Sequence, residues 1–351
     1  MKIYLIPEGD PTDATNFVTR IRLLEPLASI ARRYPLSWTC HAPFDNPKIG
    51  SFDLVIAQRA CFGSFSELDH GLALLHEARR LGIPVVYELD DHIFCANLPE
   101  LIAQSAVDEI DNEAYALTQA HKVILDIADF VTCSTHPLAE AIEAMQGNVR
   151  IHVLPVALDF DNPRWAVPTP TPSTSVAIGW SGGSRVGRDL EYLIPVLEQV
   201  LHKHPRLIFL LSGSLKYSRL FEHLPAQRVR FLSWVPYDAY PSLLAKFDLA
   251  LLPMHDHAYN RCKSPLKVID FGALGIPSIC SPTEPFLEVS HEVAGFAKTI
   301  KDWVELIEHY VCEREHEKNR ATRRARILQQ FHLNRTQDHH WKILNEMVRI
   351  H

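Results

Sequence analysis

The sequence predicts two doubly wound α/β domains facing each other across a cleft. Three observations carry the prediction. Short apolar runs alternate with helix-length amphipathic stretches along the 351 residues, the pattern of βαβ units built around a parallel sheet. The alternation stops once, at DNPRWAVPTPTPSTS (161–175), and then restarts. The length and a hydrophobic content of 47% suffice for two cores.

In the first half the apolar runs predict strands at 2–6, 36–40, 53–57, 84–89, 129–134 and 150–155. Helices are expected near 14–32, 66–80, 108–126 and 137–145. The Pro-, Thr- and Ser-rich stretch cannot sustain a helix or a central strand, so it reads as a linker. Strands then recur at 175–180, 207–212, 229–234, 248–253 and 277–280, with helices near 188–202, 237–246, 265–274, 301–313 and 317–330. The expected division is a first domain over 1–165, a linker over 166–174 and a second domain over 175–335. A last amphipathic helix over 336–351 carries Trp341, Ile343, Leu344 and Met347 at helical spacing, a face suited to packing back on the first domain. No close sequence repeat links the halves.

Composition narrows the function. A formal net charge of −7 gives no footprint for nonspecific nucleic-acid binding. Seven scattered cysteines without a CxxC pair fit reduced thiols in a cytoplasm. The start MKIYLIPEGD has too short an apolar run for a signal peptide, and no segment reaches the length of a membrane span. A cytoplasmic protein is expected, and peripheral membrane contact is compatible with the composition.

In open parallel sheets, ligands bind beyond the carboxyl ends of the strands. Attention therefore falls on YNRCKSPLKVIDFGALGIPS (259–278), which follows the run DLALLP. Ser264 is placed to cap a helix, Pro265 suits its first position, and Gly275 and Pro277 end it. Leu266, Ile269 and Ala273 form the expected core face. The helix start offers free N–H groups and a positive dipole end, to which Lys263 and Lys267 add cations; a phosphate is the natural guest. Asp270, one turn further on, can accept hydrogen bonds from ribose hydroxyls. A solvated Lys267–Asp270 pair, worth roughly a few tenths of a kcal/mol, is the plain alternative. The loop GWSGGSRVGRDLEYL (179–193) also follows a strand and opens a helix. It lacks both the G-x-G-x-x-G spacing and the P-loop pattern.

Together, GWSGG…GRDLEYL, FLSWVPYDAYPSLLAKFDLALLP and NRCKSPLKVIDFGALGIPSICS resemble the nucleotide-sugar half of GT-B glycosyltransferases of the retaining, family-4-like kind, which have two Rossmann-like domains. Residues 248–281 carry the resemblance best. The first half matches more loosely, through VVYELDDHIF, FVTCS and VLPVALD.

The resemblance implies a nucleoside-diphosphate sugar as donor and a hydroxyl-bearing acceptor such as a glycan, with no further cofactor and no metal. It places Gly182, Gly183 and Arg188 at the diphosphate, with Asn260, Lys263, Ser264 and Lys267 around it. Trp234, Val235 and Pro236 would lie near the base. Family members carry a pair of glutamates around this helix; Asp270 matches the second as a shorter acid, and Cys262 stands where the first would fall. Asp90 and Asp91, after a first-domain strand, would flank the acceptor, although many members have a histidine near Asp90. Asn16, Arg22 and Arg59 lie near strand ends or helix starts on the same side, where a structural role is expected ahead of a catalytic one. Arg188, Lys263 and Lys267 would stabilise the departing diphosphate where a metal otherwise would. His255 and His257 have the spacing of a metal pair on a strand, yet no third ligand presents itself, so a loop beside the donor pocket is expected there. Two other readings fit the architecture: a nucleotide-sugar 2-epimerase using Asp90 or His255, and a binder that has lost catalysis. A phage-type DNA glucosyltransferase is disfavoured by the acidic charge.

Overall fold

The computed structural model describes residues 1–42, 45–59, 65–95, 122–167, 174–183, 187–213, 215–289, 291–313 and 317–350. Two six-stranded sheets organise the chain, with every strand pair parallel. The first contains β1 (Lys2–Ile6), β2 (Ser37–Cys40), β3 (Leu54–Gln58), β4 (Val85–Leu89), β5 (Phe130–Cys133) and β6 (Arg150–Val153), in the order β2-β1-β3-β4-β5-β6. The second contains β7 (Val176–Gly182), β8 (Leu207–Gly213), β9 (Val229–Leu232), β10 (Leu249–Leu252), β11 (Ser278–Cys280) and β12 (Ala294–Phe296), in the order β12-β11-β10-β7-β8-β9. The eleven expected strands are all present within a few residues; β12 was not foreseen.

Central strands β3 and β4 are buried at every position. That is why they read as continuous apolar runs rather than alternating ones. Helices cover both faces of the first sheet. Leu74, Leu75 and Ile124 pack on one side; Leu23, Leu27 and Ile30 pack on the other. The helix Gln337–Ile350 joins the latter side, inserting Ile343, Leu344 and Met347, with Trp341 stacked on Tyr34 at 4.8 Å. It therefore belongs to the first domain's core although it ends the chain.

Each sheet has one point where the chain reverses its direction of strand addition: between β1 and β3 in the first, between β7 and β10 in the second. Loops diverge there and leave a crevice beyond the carboxyl ends. Most of the helix expected over 108–126, and residues 168–173 of the expected linker, lie outside the described residues. Among the described residues, no helix is long and apolar enough to cross a membrane.

Candidate active site

At the first sheet's crevice, one guanidinium meets three carboxylates. Arg59, just after β3, pairs with Glu8 at 2.8 Å, Asp90 at 3.0 Å and Asp91 at 3.0 Å. Its side chain is buried and its backbone is left-handed, with φ 41°. An L-residue tolerates that region poorly, so the strain persists only because the ion pairs and the Tyr87 hydroxyl bond to its carbonyl over-determine it. Burial, joined by the charges of Asp91, Glu88 and Glu8, pushes the Asp90 carboxyl up to about 7 despite Arg59.

Two expected acceptor-side residues are occupied inside the first domain. Arg22 pairs with the buried Glu88 at 2.8 Å and donates to the Leu154 carbonyl. Asn16 caps its helix by accepting from the Thr19 N–H, and its amide donates to the Glu8 carbonyl.

The second sheet's crevice has the opposite character. β7 ends at Gly182, where a Cβ would lie 2.6 Å from both the Lys267 Nζ and the Trp180 ring. The missing side chain lets the Lys267 ammonium rest against the strand end, 5.2 Å from the Trp180 ring centre. Among the described residues Lys267 forms no ion pair, so the helical Lys267–Asp270 pair weighed from sequence does not form. Burial first, then the like charge of Lys263, pull its pKa down to about 8, against the opposing charges of Asp270, Asp91 and Asp189. Lys263 lies 4.7 Å from the Tyr259 ring centre. Gly183 is open, since an added Cβ would meet nothing. Arg188 is exposed and lies 3.9 Å from Glu191.

Three sequence expectations need correction here. The helix Leu266–Ala273 is capped at Pro265 with no side-chain cap, so Ser264 does not serve as its N-cap. Its core is wider than the expected stripe: Val268 to Ala273 are all buried, whereas Leu266 is only partly so. His255 and His257 stand in a loop beyond the end of β10, as the sequence led one to expect. Neither is arranged for a metal: His255 Nδ1 bonds Asp189 at 3.1 Å, and His257 Nδ1 accepts from the Asn260 N–H at 3.2 Å. Asn260 is buried, with its amide nitrogen bonded to Asp189 and the His255 carbonyl. That nitrogen is already spent within the protein.

Asp189 escaped the sequence reading. It is buried and accepts from the His255 N–H at 2.7 Å, tying the segment after β7 to the loop after β10. The available signal was an acid in the first turn after a glycine loop, but GRDLEYL reads equally as an ordinary helix face.

The domains meet through the same segments. The Tyr259 hydroxyl donates to Asp91 at 3.2 Å, and Thr135 Oγ1 donates to the Cys262 carbonyl at 2.8 Å. The Cys262 thiol is buried in the first domain's core. Nearby, Arg164 pairs with Glu25 at 3.3 Å, bonds the Tyr237 hydroxyl and stacks on its ring at 3.8 Å. Asp270 lies within this buried interdomain patch. Its carboxyl is pushed up to about 7 by burial, which outweighs the pull of Arg164 and Lys267. At the domain edge Trp234 is exposed, with its ring 5.5 Å from Phe17; Val235 is partly buried and Pro236 exposed. The Tyr237 N–H that follows donates to the Ala14 carbonyl.

Residues 194–343 match a family model described as glycosyl transferase-like. Solved structures share the architecture across the whole chain. Sucrose-phosphate synthase from Thermosynechococcus elongatus aligns over 100% of both chains at 13% identity and TM-score 0.66. The chain has the GT-B fold, and its second half is similar to the glycosyl transferase-like family. Anabaena HepE, solved with UDP and glucose, aligns over 98% of this chain and 99% of its own at 17% identity and TM-score 0.60. TarM of S. aureus, solved with fondaparinux, α-GlcNAc-glycerol and UDP, aligns over 84% of this chain and 56% of its own, at 13% identity and TM-score 0.57. No curated protein matches this chain by sequence.

Proposed function

We propose that the chain transfers a sugar from a nucleoside diphosphate sugar to an acceptor hydroxyl, with retention and without an essential metal. The observation that carries this is Lys267. A largely desolvated ammonium, without an ionic partner among the described residues, rests at the mouth of the second sheet's crevice against the glycine that makes room for it. Such a cation is costly until an anion arrives. A donor diphosphate supplies that anion. HepE and TarM, solved with UDP, support a uridine nucleotide as the first to test.

In this scheme Lys267, Lys263 and Arg188 face the phosphates and stabilise the charge that develops as the glycosidic bond to the diphosphate breaks. Gly182 and Gly183 let backbone approach them, and Ser264 flanks the helix start. Trp234, Val235 and Pro236 border the base, and Asp270 lies toward the ribose. The acceptor hydroxyl enters from the Asp90–Asp91 side, where a carboxyl with pKa about 7 can exchange a proton near neutral pH. Retention follows from the family resemblance.

A second reading is favoured by one finding. Cys262 occupies the position of the family's first glutamate, and its thiol is buried in the first domain rather than turned to a donor. That suits a sugar-nucleotide binder without transfer. UDP release from UDP-glucose, measured with and without a glycan acceptor, separates the readings. Acceptor-dependent release is expected. Binding without release would establish the binder, and absence of any nucleotide binding would remove the donor site altogether.

A further inference from the structure

The geometry points to a further donor-phosphate contact: His255, aimed by Asp189, presents its Nε2–H to a phosphate oxygen of the nucleoside diphosphate. The inference rests on the transferase reading above and deepens it at the second sheet's crevice.

The pair stands at the point where β7 and β10 diverge, the position where parallel sheets hold ligands. One Asp189 oxygen accepts from both the backbone N–H and the ring Nδ1 of His255, at 2.7 and 3.1 Å. A carboxylate only accepts, so Nδ1 carries a proton, and Nε2 is the nitrogen left to face outward. Among the described residues, Nε2 meets no partner. The His255 side chain is 46% exposed, whereas that of Asp189 is 5% exposed. A buried acid orienting a half-exposed imidazole is the arrangement of a group prepared for a ligand rather than for the core.

The surroundings set the charge. Asp189 and Glu191 favour the imidazolium and Arg188 opposes it; Asp256 and His257 stand on the same loop, and the Tyr192 ring meets the imidazole edge-on at 6.3 Å. The balance raises the His255 pKa, chiefly through the Asp189 hydrogen bond. Asp189 also holds Asn260, so it is a positioning residue for the whole 255–260 loop.

The test is calorimetric titration of the full chain with UDP and with uridine between about pH 6 and pH 8. UDP phosphates and Lys267 titrate in every variant, so the difference between proteins isolates His255. Expected for His255→Gln is about tenfold weaker UDP binding at the acid end, as for loss of a charge-assisted hydrogen bond. The gap should close toward the alkaline end, with uridine binding unchanged. Asp189→Asn should keep a histidine-dependent slope but move its midpoint to lower pH, which a purely structural loss would not do. Equal UDP affinity and equal pH slope in wild type and His255→Gln would overturn the inference while leaving the donor site in place. If the wild type bound no UDP, the transferase reading would fall, and this contact with it.

Discussion

Both domains are doubly wound parallel sheets, one ordered β2-β1-β3-β4-β5-β6 and the other β12-β11-β10-β7-β8-β9, and they differ in charge at the crevice where the winding reverses. Where β1 and β3 diverge, three carboxylates surround one guanidinium. Where β7 and β10 diverge, Lys267, Lys263, Arg188 and His255 gather around one buried acid, Asp189. A parallel sheet supplies the crevice, and the residues after each strand decide what enters it. In the proposed reaction the acidic crevice would take the hydroxyl that must lose a proton, and the basic crevice the diphosphate that must leave. Asp91 and Asp189 both act on Lys267, so the ammonium lies within electrostatic reach of each.

The largest expected effect comes from breaking the acidic side. Arg59→Met leaves Glu8, Asp90 and Asp91 without their shared cation. Removing one member of a buried ionic cluster costs about 3–5 kcal/mol, read from the midpoint of urea unfolding. A change within a few tenths of a kcal/mol would mean that solvent already screens the cluster.

Breaking the basic side should leave the fold intact and abolish ligand response. Lys263→Ala together with Lys267→Ala is expected to weaken UDP binding about a hundredfold or more, as for two lost charge-assisted contacts. The thermal shift by UDP should vanish with it. The apo protein should lose no stability through position 267 at neutral pH. Lys267 has a folded pKa depressed to about 8, so its charged form penalises folding below that pH, and the penalty fades as pH rises toward the unfolded value. An undiminished UDP shift in the double variant would remove the proposed donor site.

These two contrasts show what a sequence can and cannot carry. Strand positions were legible because buried parallel strands read as consecutive apolar residues, as LVIA of β3 does. β12 (AGF) is a half-buried edge strand with a glycine at its centre and so offers no apolar run, unlike the equally short but fully buried β11. The cations of the second crevice were visible because Lys263, Lys267 and the helix start are close in sequence. The Arg59 cluster was not, since Glu8, Arg59 and Asp90 become neighbours only when β1, β3 and β4 are ordered in one sheet. Arg59 and Asp90 could be placed near strand ends, but their convergence depends on pairing. Ser264 was a plausible cap by residue type, yet Pro265 takes the cap position and the chain needs no hydroxyl there.

A pH experiment sharpens the acidic side further. Asp90 is an acid whose folded pKa, about 7, lies above the unfolded value of 3.8. Its contribution to stability is full below the unfolded pKa and is lost as pH rises through the folded one. Asp90→Asn lacks that loss. The difference in Tm between Asp90→Asn and wild type should therefore grow more positive between about pH 5 and pH 8. Asp270 titrates in the same window in both proteins and cancels from the difference. A difference that stays flat with pH would show that Asp90 is ionised throughout and cannot exchange a proton near neutrality.

The smallest change tests whether the two crevices act as one site. Tyr259 belongs to the second domain, yet its hydroxyl donates to Asp91 of the first. It also stands beside Lys263, whose ammonium lies over its ring. Tyr259→Phe keeps the ring, and with it the cation–π contact, and removes the bond to the carboxylate. The expected stability loss is about 1 kcal/mol, since Asp91 keeps Arg59 as a partner. UDP affinity should be unchanged, because nothing on the phosphate side has been touched. Acceptor-dependent turnover should fall severalfold, because the acid loses the contact that fixes it relative to the donor. The outcome discriminates sharply. Weaker UDP binding in Tyr259→Phe would place this hydroxyl on the donor side. Unaltered turnover would mean that the crevices operate independently and that the bond between them only holds the domains together.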